Sequence, residues 1–236
     1  LAQLSSPNTV QPRINQLLRR LYGALFRSVV DHEASIVETT TRTRMAEYTE
    51  KGVASVTAPD PAERWVLVDL ARAGMIPSEV CFDLANELIN PANVRLDHLF
   101  INRQTDENEQ VTGTHMSGNK IGGDADDVVL VFPDPMGATG SSICDAIKLY
   151  QNDVDGTPKR IVCAHLIVTP EYLRRLADEA PEARVHALRV DRGLSSEEIL
   201  ATVPGECWEE ERGLNERQYI VPGAGGLGEV INNSFV

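Results

Sequence analysis

Apolar residues recur at helical spacing through Ile14, Leu17, Leu18, Leu21, Leu25 and Phe26, which predicts a helix over residues 14–27. The reading continues into a second helical stretch over residues 28–48, weakened at Thr39–Thr41 because β-branched side chains crowd a helix. Residues 53–63, with Pro59 and Pro61, read as a connection. The period then changes. Trp65–Leu70 is a short apolar run of strand type, and after Ala73-Gly74 a helix runs to about Asn90, where Pro91 and Asn93 stop it. Val94–Asn102 is a second strand. Residues 104–127 are polar and rich in Gly, Asn and Asp, with alternation around Val111–Met116, which predicts a mobile hairpin. Val128–Phe132 is the cleanest buried-type strand, followed by a Gly/Thr/Ser loop and a helix to about Gln151. A strand over Arg160–Val168, a helix over Pro170–Glu179 and a strand over Val185–Val190 complete the pattern. Strands alternating with helices predict an α/β fold: a Rossmann-like open, mainly parallel sheet with helices on both faces. The whole chain, residues 1–236, reads as one domain, with residues 1–12 as a polar flexible arm and the N-terminal helices packed on the sheet or used as a subunit contact.

Composition adds exclusions. Hydrophobic residues make up 42% and charged residues 24%, ordinary for a chain that buries a full core. A net charge of −13 argues against a nucleic-acid partner, since a phosphate backbone calls for a basic footprint. It leaves room for a small phosphate ligand held by a local positive site. No apolar run reaches the ~18–20 residues of a membrane span, and residues 1–12 show no basic-then-apolar leader. Cys81, Cys144, Cys163 and Cys207 are unpaired in spacing and read as reduced thiols, so a cytoplasmic protein with no membrane partner is expected. The histidines are scattered without metal-ligand spacing, and no residue is assigned as a metal ligand.

The informative segment is Val128–Tyr150. A buried strand ends at Phe132, an acid follows at Asp134, and the turn Gly137-Ala138-Thr139-Gly140-Ser141-Ser142 opens a helix. Glycines let a backbone approach a ligand, successive N–H groups form an anion nest, and a helix N-terminus adds free donors. The loop lacks the GK[ST] of a P-loop and the G-x-G-x-x-G of a dinucleotide site. It suits a phosphate cradle whose preceding carboxylate accepts from ribose hydroxyls. The same residues equally suit a plain strand-to-helix turn with a polar cap.

Asp134-Pro135-Met136-Gly137-Ala138-Thr139-Gly140-Ser141-Ser142 resembles the phosphoribosyl-diphosphate loop of uracil phosphoribosyltransferases, DPM-x-ATG-x-S. Four further segments fall in the family's order: Phe26–Glu33, Leu70–Met75 (the LRAG turn), Phe100–Arg103, and Leu214–Gly223 (LNE-x-x-YI-x-PG). The resemblance implies that Arg72 and Arg103 meet the diphosphate, with Asp134 as the third catalytic position on the ribose hydroxyls. It implies a 5′-phosphate site from Pro135 and Met136 through Gly137, Ala138, Thr139, Gly140, Ser141 and Ser142. Ile220, Gly225, Gly226 and Leu227 would bind the base through main-chain groups, in a small C-terminal base-binding hood. The implied activity is transfer of phosphoribose from 5-phosphoribosyl 1-diphosphate to uracil, with Mg²⁺ carried in by the diphosphate, in a homodimer.

The chain departs from the pattern in four places, the least of them Ala71, where the family commonly has a bulkier apolar residue. The family loop PG-x-GDAGD reads here Pro222-Gly223-Ala224-Gly225-Gly226-Leu227-Gly228-Glu229, so the first aspartate becomes Gly226 and the second becomes Glu229. Gly137 replaces the usual apolar residue of the phosphate loop. About residues 195–212 form an insertion containing Trp208 and an acidic run. Gly226 keeps two alternatives open: a non-catalytic phosphoribosyl-diphosphate or nucleotide-binding regulator, and a transferase for a different base.

Overall fold

The computed structural model describes residues 1–105 and 111–234, with residues 102–105 and 111–114 described by their backbone alone. The tip of the expected hairpin, residues 106–110, lies outside the described residues. A long helix, α1 (Arg13–Glu33), leads into a two-stranded antiparallel hairpin, β1 (Ile36–Arg42) and β2 (Val53–Pro59). The main sheet follows: β3 (Arg64–Ala71), α2 (Met75–Leu88), β4 (Val94–Thr105), β5 (Val111–Lys120), β6 (Val128–Pro133), β7 (Met136–Gly137), α3 (Ser141–Asn152), β8 (Arg160–Val168), α4 (Pro170–Glu179) and β9 (Ala183–Val190). Two short helices, α5 (Glu197–Leu200) and α6 (Leu227–Val230), belong to the C-terminal segment.

The seven strands lie in the order β5-β4-β3-β6-β8-β7, with β9 also paired to β8. All pair in parallel except β5, which runs antiparallel to β4. Side chains alternate across each strand. Trp65, Leu67, Val129, Val131, Val162 and Ala164 face α1 and α2, while Val66, Val68, Leu130, Phe132, Ile161 and Cys163 face α3 and α4. Strands buried on both faces explain their continuous apolar runs. Aromatic edges lock each layer, with Phe26 meeting Trp65 at 5.9 Å and Phe132 meeting Tyr150 at 6.0 Å between centroids.

Three expectations are corrected. The second helical stretch over residues 28–48 does not form: α1 ends at Glu33 and Ile36–Arg42 is a strand. Ile36, Val37 and the Thr39–Thr41 run are β-branched, and the extended form relieves the crowding that a helix imposes on them. Residues 53–63 are likewise more than a connection, because Val53–Pro59 pairs with β1. Residues 1–12 do not hang free: Leu4, only 2% exposed, joins the core beneath α1, and Gln11 Nε2 donates to the carbonyl of Ile231 at 2.8 Å.

The segment at about 195–212, expected as an insertion, is tied to Arg192 just beyond β9. Arg192 and Glu211, 7% and 1% exposed, pair at 2.9 Å. The guanidinium also donates to the carbonyls of Ile199 and Thr202, and the carboxylate accepts from the Gly205 amide at 2.7 Å. A buried pair of this kind is costly to break from one side, because the remaining charge stays buried without its counterpart. Glu211→Ala is expected to lower the unfolding free energy by about 3–5 kcal/mol. The exposed Glu209→Ala should change it by less than about 0.5 kcal/mol, with urea denaturation as the measurement for both.

Candidate functional site

After β3 the chain crosses to β4 on one side of the sheet and later returns to β6 on the other, so the loops leaving β3 and β6 diverge. Open α/β sheets place ligands in the crevice at such a switch point, beyond the carboxyl ends of the strands. A cavity of about 430 Å³ opens here, walled by the β3 exit, the β6 exit and the C-terminal segment.

The first wall is the turn Leu70–Gly74, closed by the Gly74 amide on the Leu70 carbonyl at 2.9 Å before α2 begins. It presents Arg72 to the cleft. Nη1 of Arg72 donates to the Ser234 hydroxyl at 2.7 Å and to the Ser234 carbonyl at 3.3 Å.

The second wall is the loop between β6 and α3. Asp134 Oδ1 accepts from the Met136 amide at 3.0 Å, which bends the chain into β7. Thr169, at the start of α4 and fully buried, then holds two successive loop carbonyls: its amide donates to Gly137 at 3.0 Å and its hydroxyl to Ala138 at 2.6 Å. With those carbonyls turned inward, the loop leads into α3 through Gly140, whose φ of 83° is left-handed. The amides of Thr139 and Gly140 find no acceptor among the described residues; the Ser141 amide, the first of α3, donates to the Thr139 hydroxyl at 3.4 Å, and the amides that follow it in the first turn have no partner within the helix. The Thr139 and Ser141 hydroxyls lie 3.1 Å apart, and Arg175 of α4 donates to both Ser141 Oγ and the Thr139 carbonyl. The result is an anion cradle made of amides, hydroxyls and a helix N-terminus, backed by a guanidinium. Gly137 is demanded by packing. A Cβ there would stand 2.9 Å from Val168 Cγ1 and 3.0 Å from the Tyr172 ring.

The third wall is the segment 218–229. An antiparallel bridge joins Leu214 to Ile220, and the Val221 amide donates to Gly213 at 2.8 Å. The buried Asp191 carboxylate accepts from the Gly223 amide at 2.7 Å and is paired with Arg189. Ile220, Gly225, Gly226 and Leu227 then face the cavity.

Arg72, Asp134, Met136, Gly137, Ala138, Thr139, Gly140, Ser141, Ser142, Ile220, Gly225, Gly226 and Leu227 therefore share one cleft. Pro135 does not line it. Its ring is buried, and its carbonyl accepts from the Leu166 and Ile167 amides at 3.1 and 3.2 Å, so it anchors the loop to β8. The Arg103 side chain lies outside the described residues, although its backbone continues β4. Sequence reasoning missed Tyr172, Gln218 and Tyr219 in the lining, did not count Glu229 among the site residues, and overlooked Thr169 and Arg175 behind the cradle. A polar residue at the end of an otherwise apolar strand signalled Thr169. Arg175 carried no local signal, since it meets the loop only through the fold.

Beneath Asp134 lies His165, fully buried. A carbonyl can only accept, so its contact with the Asp134 oxygen at 2.5 Å fixes the proton on Nδ1, and Nε2 accepts from the Tyr172 hydroxyl at 2.6 Å. Burial holds this imidazole down to about 4, against the hydrogen bond to Asp134, which pulls the other way. The unfolded chain, with an ordinary histidine near 6.5, binds more protons between those two values. Stability is therefore expected to fall as pH drops from about 6.5 toward 4. His165→Gln, which cannot titrate, should flatten that part of the profile in urea melts taken across the window.

Comparison with known proteins agrees with this architecture. A family described as uracil phosphoribosyltransferase matches residues 1–207, which leaves the third wall of the cleft to be read from its geometry. The uracil phosphoribosyltransferase of Thermococcus sibiricus is 33% identical over 107 residues, 44% of this chain and 35% of that protein. That of Campylobacter curvus is 32% identical over 129 residues, 54% of this chain and 50% of that protein. That of Mycoplasma capricolum is 29% identical over 166 residues, 70% of this chain and 64% of that protein. The matches thus span from about a third to just under two thirds of these curated relatives. The structure of the AQ2163 protein from Aquifex aeolicus has the same fold, with a TM-score of 0.71 at 21% identity over 98% of this chain and 90% of that one. On the extent of the family match, this chain belongs to the uracil phosphoribosyltransferase family.

Proposed function

We propose that this protein transfers the phosphoribosyl group of 5-phosphoribosyl 1-diphosphate to N1 of uracil, giving UMP and releasing diphosphate and the N1 proton. The observation that supports the reading is the meeting of a glycine- and hydroxyl-rich strand-to-helix loop, the Asp134 carboxylate and an exposed arginine around one cavity of about 430 Å³. Gly137–Ser142 receive the 5′-phosphate on amides and hydroxyls. Asp134 accepts from the ribose hydroxyls. Arg72 exchanges its Ser234 contacts for the diphosphate, for which a guanidinium fork is suited. Arg103 joins it by the family resemblance, and Pro135 serves as an anchor rather than a contact. Ile220, Gly225, Gly226 and Leu227 bound the base, whose carbonyl and imide edge needs partners when buried.

As the C1′–oxygen bond to diphosphate breaks, the C1′–N1 bond forms through an oxocarbenium-like state. The work asked of the protein is positioning and charge neutralisation. A magnesium-type cation would neutralise the leaving group when bound. The described residues hold no cluster of three or more metal-binding side chains, but Asp134 and Glu229 both line the cleft. Two separated acids fit a cation that arrives on the diphosphate and keeps most of its waters.

Free thiols at all four cysteines support a reducing, cytoplasmic setting. No described helix is long and apolar enough to cross a membrane. The β1–β2 hairpin exposes Ile36, Met45, Tyr48, Val53 and Val56, an apolar surface suited to pairing with a second copy of the chain.

A uracil-to-UMP assay with phosphoribosyl diphosphate and Mg²⁺ tests the activity. Asp134→Ala is expected to lower kcat/KM by about a hundredfold or more. A folded wild-type protein that binds phosphoribosyl diphosphate without forming UMP would refute uracil transfer, and would favour the ligand-binding alternative that Gly226 raises. For assembly, Ile36→Asp with Tyr48→Asp should convert a wild-type dimer to a monomer in sedimentation. A monomeric wild type would refute the dimer.

A further inference from the structure

Residue 226 carries no side chain, and the volume where one would begin is already filled. A Cβ built on Gly226 would stand 2.9 Å from Glu229 Oε2, 3.2 Å from its Cδ and 3.7 Å from its Oε1. Glu229 lies in the first turn of α6, and its amide donates to the Gly226 carbonyl at 3.1 Å. The long side chain therefore folds back over the backbone it springs from and ends on the cleft wall beside residue 226. An aspartate rooted at 226 would set its Cβ against the Glu229 carboxylate, so the two positions serve the same stretch of cleft wall.

The carboxylate is uncommitted. Among the described residues it has no hydrogen bond and no ion pair. Of the cleft-lining side chains described, only Asp134 and Glu229 are acidic and only Arg72 is basic. Asp134 is already tied to the Met136 amide. An unpaired carboxylate repels the phosphates of a ligand in the cleft unless something cationic or protic stands between them. A hydrated divalent cation on a diphosphate supplies both, because its bound waters are strong donors.

The geometry points to Glu229 as the residue that supplies, from three positions further along, the carboxylate absent at Gly226. In this role it accepts hydrogen bonds from the water shell of the cation that accompanies the diphosphate. It is a positioning residue, and the loss of the aspartate at 226 is a relocation of charge within the loop. The inference rests on the phosphoribosyl-transfer reading.

Four proteins test it: wild type, Glu229→Gln, Gly226→Asp and the double variant Gly226→Asp/Glu229→Gln. Calorimetry of phosphoribosyl diphosphate binding across a Mg²⁺ titration is the first readout, and UMP formation is the second. Glu229→Gln keeps the shape and should weaken Mg²⁺-dependent binding by about 10-fold or more. Its metal-free binding and its KM for uracil should match the wild type. The double variant should recover most of the loss, because a carboxylate again serves the same stretch of cleft wall. Gly226→Asp alone should bind more weakly than the wild type, since two carboxylates then crowd one site. Thermal melts establish that all four are folded. Unchanged Mg²⁺-dependent binding in Glu229→Gln, or no recovery in a folded double variant, overturns the role of Glu229 while leaving phosphoribosyl transfer intact. A wild type that neither binds nor consumes phosphoribosyl diphosphate overturns the functional reading, and this inference with it.

Discussion

The crossing of the chain at β3 is the constraint on which everything else depends. A parallel strand has neighbours on both sides, and here the next two main-sheet parallel strands are laid down on opposite flanks, β4 then β6. The loops that leave β3 and β6 must part, because their helices cover opposite faces. The gap between them sits at the carboxyl ends of the strands, where amide N–H groups of the following turns point outward. Arg72 and the Asp134–Ser142 loop face each other for this reason, though they are distant in sequence. The extra antiparallel strand β5 extends the sheet on the β4 side without disturbing the crevice.

An anion cradle works only if its donors are set before the ligand arrives, since ordering a loop on binding subtracts from affinity. Here the ordering comes from behind. Thr169 takes up two loop carbonyls, His165 takes a third at Asp134, and the Pro135 carbonyl is held by β8 amides. Each such buried hydrogen bond contributes roughly 1 kcal/mol net and costs more when one partner is left alone. All of these groups come from β8 and the start of α4. The loop is thus shaped by the neighbouring strand, and its ligand face is left with unspent donors.

The main sheet was legible because its signals are local and redundant. Val128–Phe132 and Arg160–Val168 are apolar at nearly every position, as a strand covered on both faces must be. The strand-to-helix loop carried its own glycines and hydroxyls, and the order of motifs along the chain matched one family. The β1–β2 hairpin was misread because Ile36–Pro59 packs little against the rest, so burial imprinted no clear period and a helical stretch was extended through it. Only the β-branched run at Thr39–Thr41 carried the true signal. Arg175 and His165 were illegible as site residues for a different reason. Each reaches the loop through tertiary packing more than 20 residues away in sequence. The fold-back of Glu229 over Gly226 was also beyond sequence reading, since only geometry shows which of two loop positions the carboxylate occupies.

Gly137 and the buried Tyr172 occupy complementary halves of one small space. Neither can be exchanged alone for the opposite size: a larger residue at 137 strikes the ring, and a small residue at 172 opens a void and strips His165 of its hydroxyl partner. A single change at either position thus leaves the loop overpacked or hollowed. The two positions share one volume, so the stability costs of changing them should not add: a larger residue at 137 is tolerated only where 172 has made room for it.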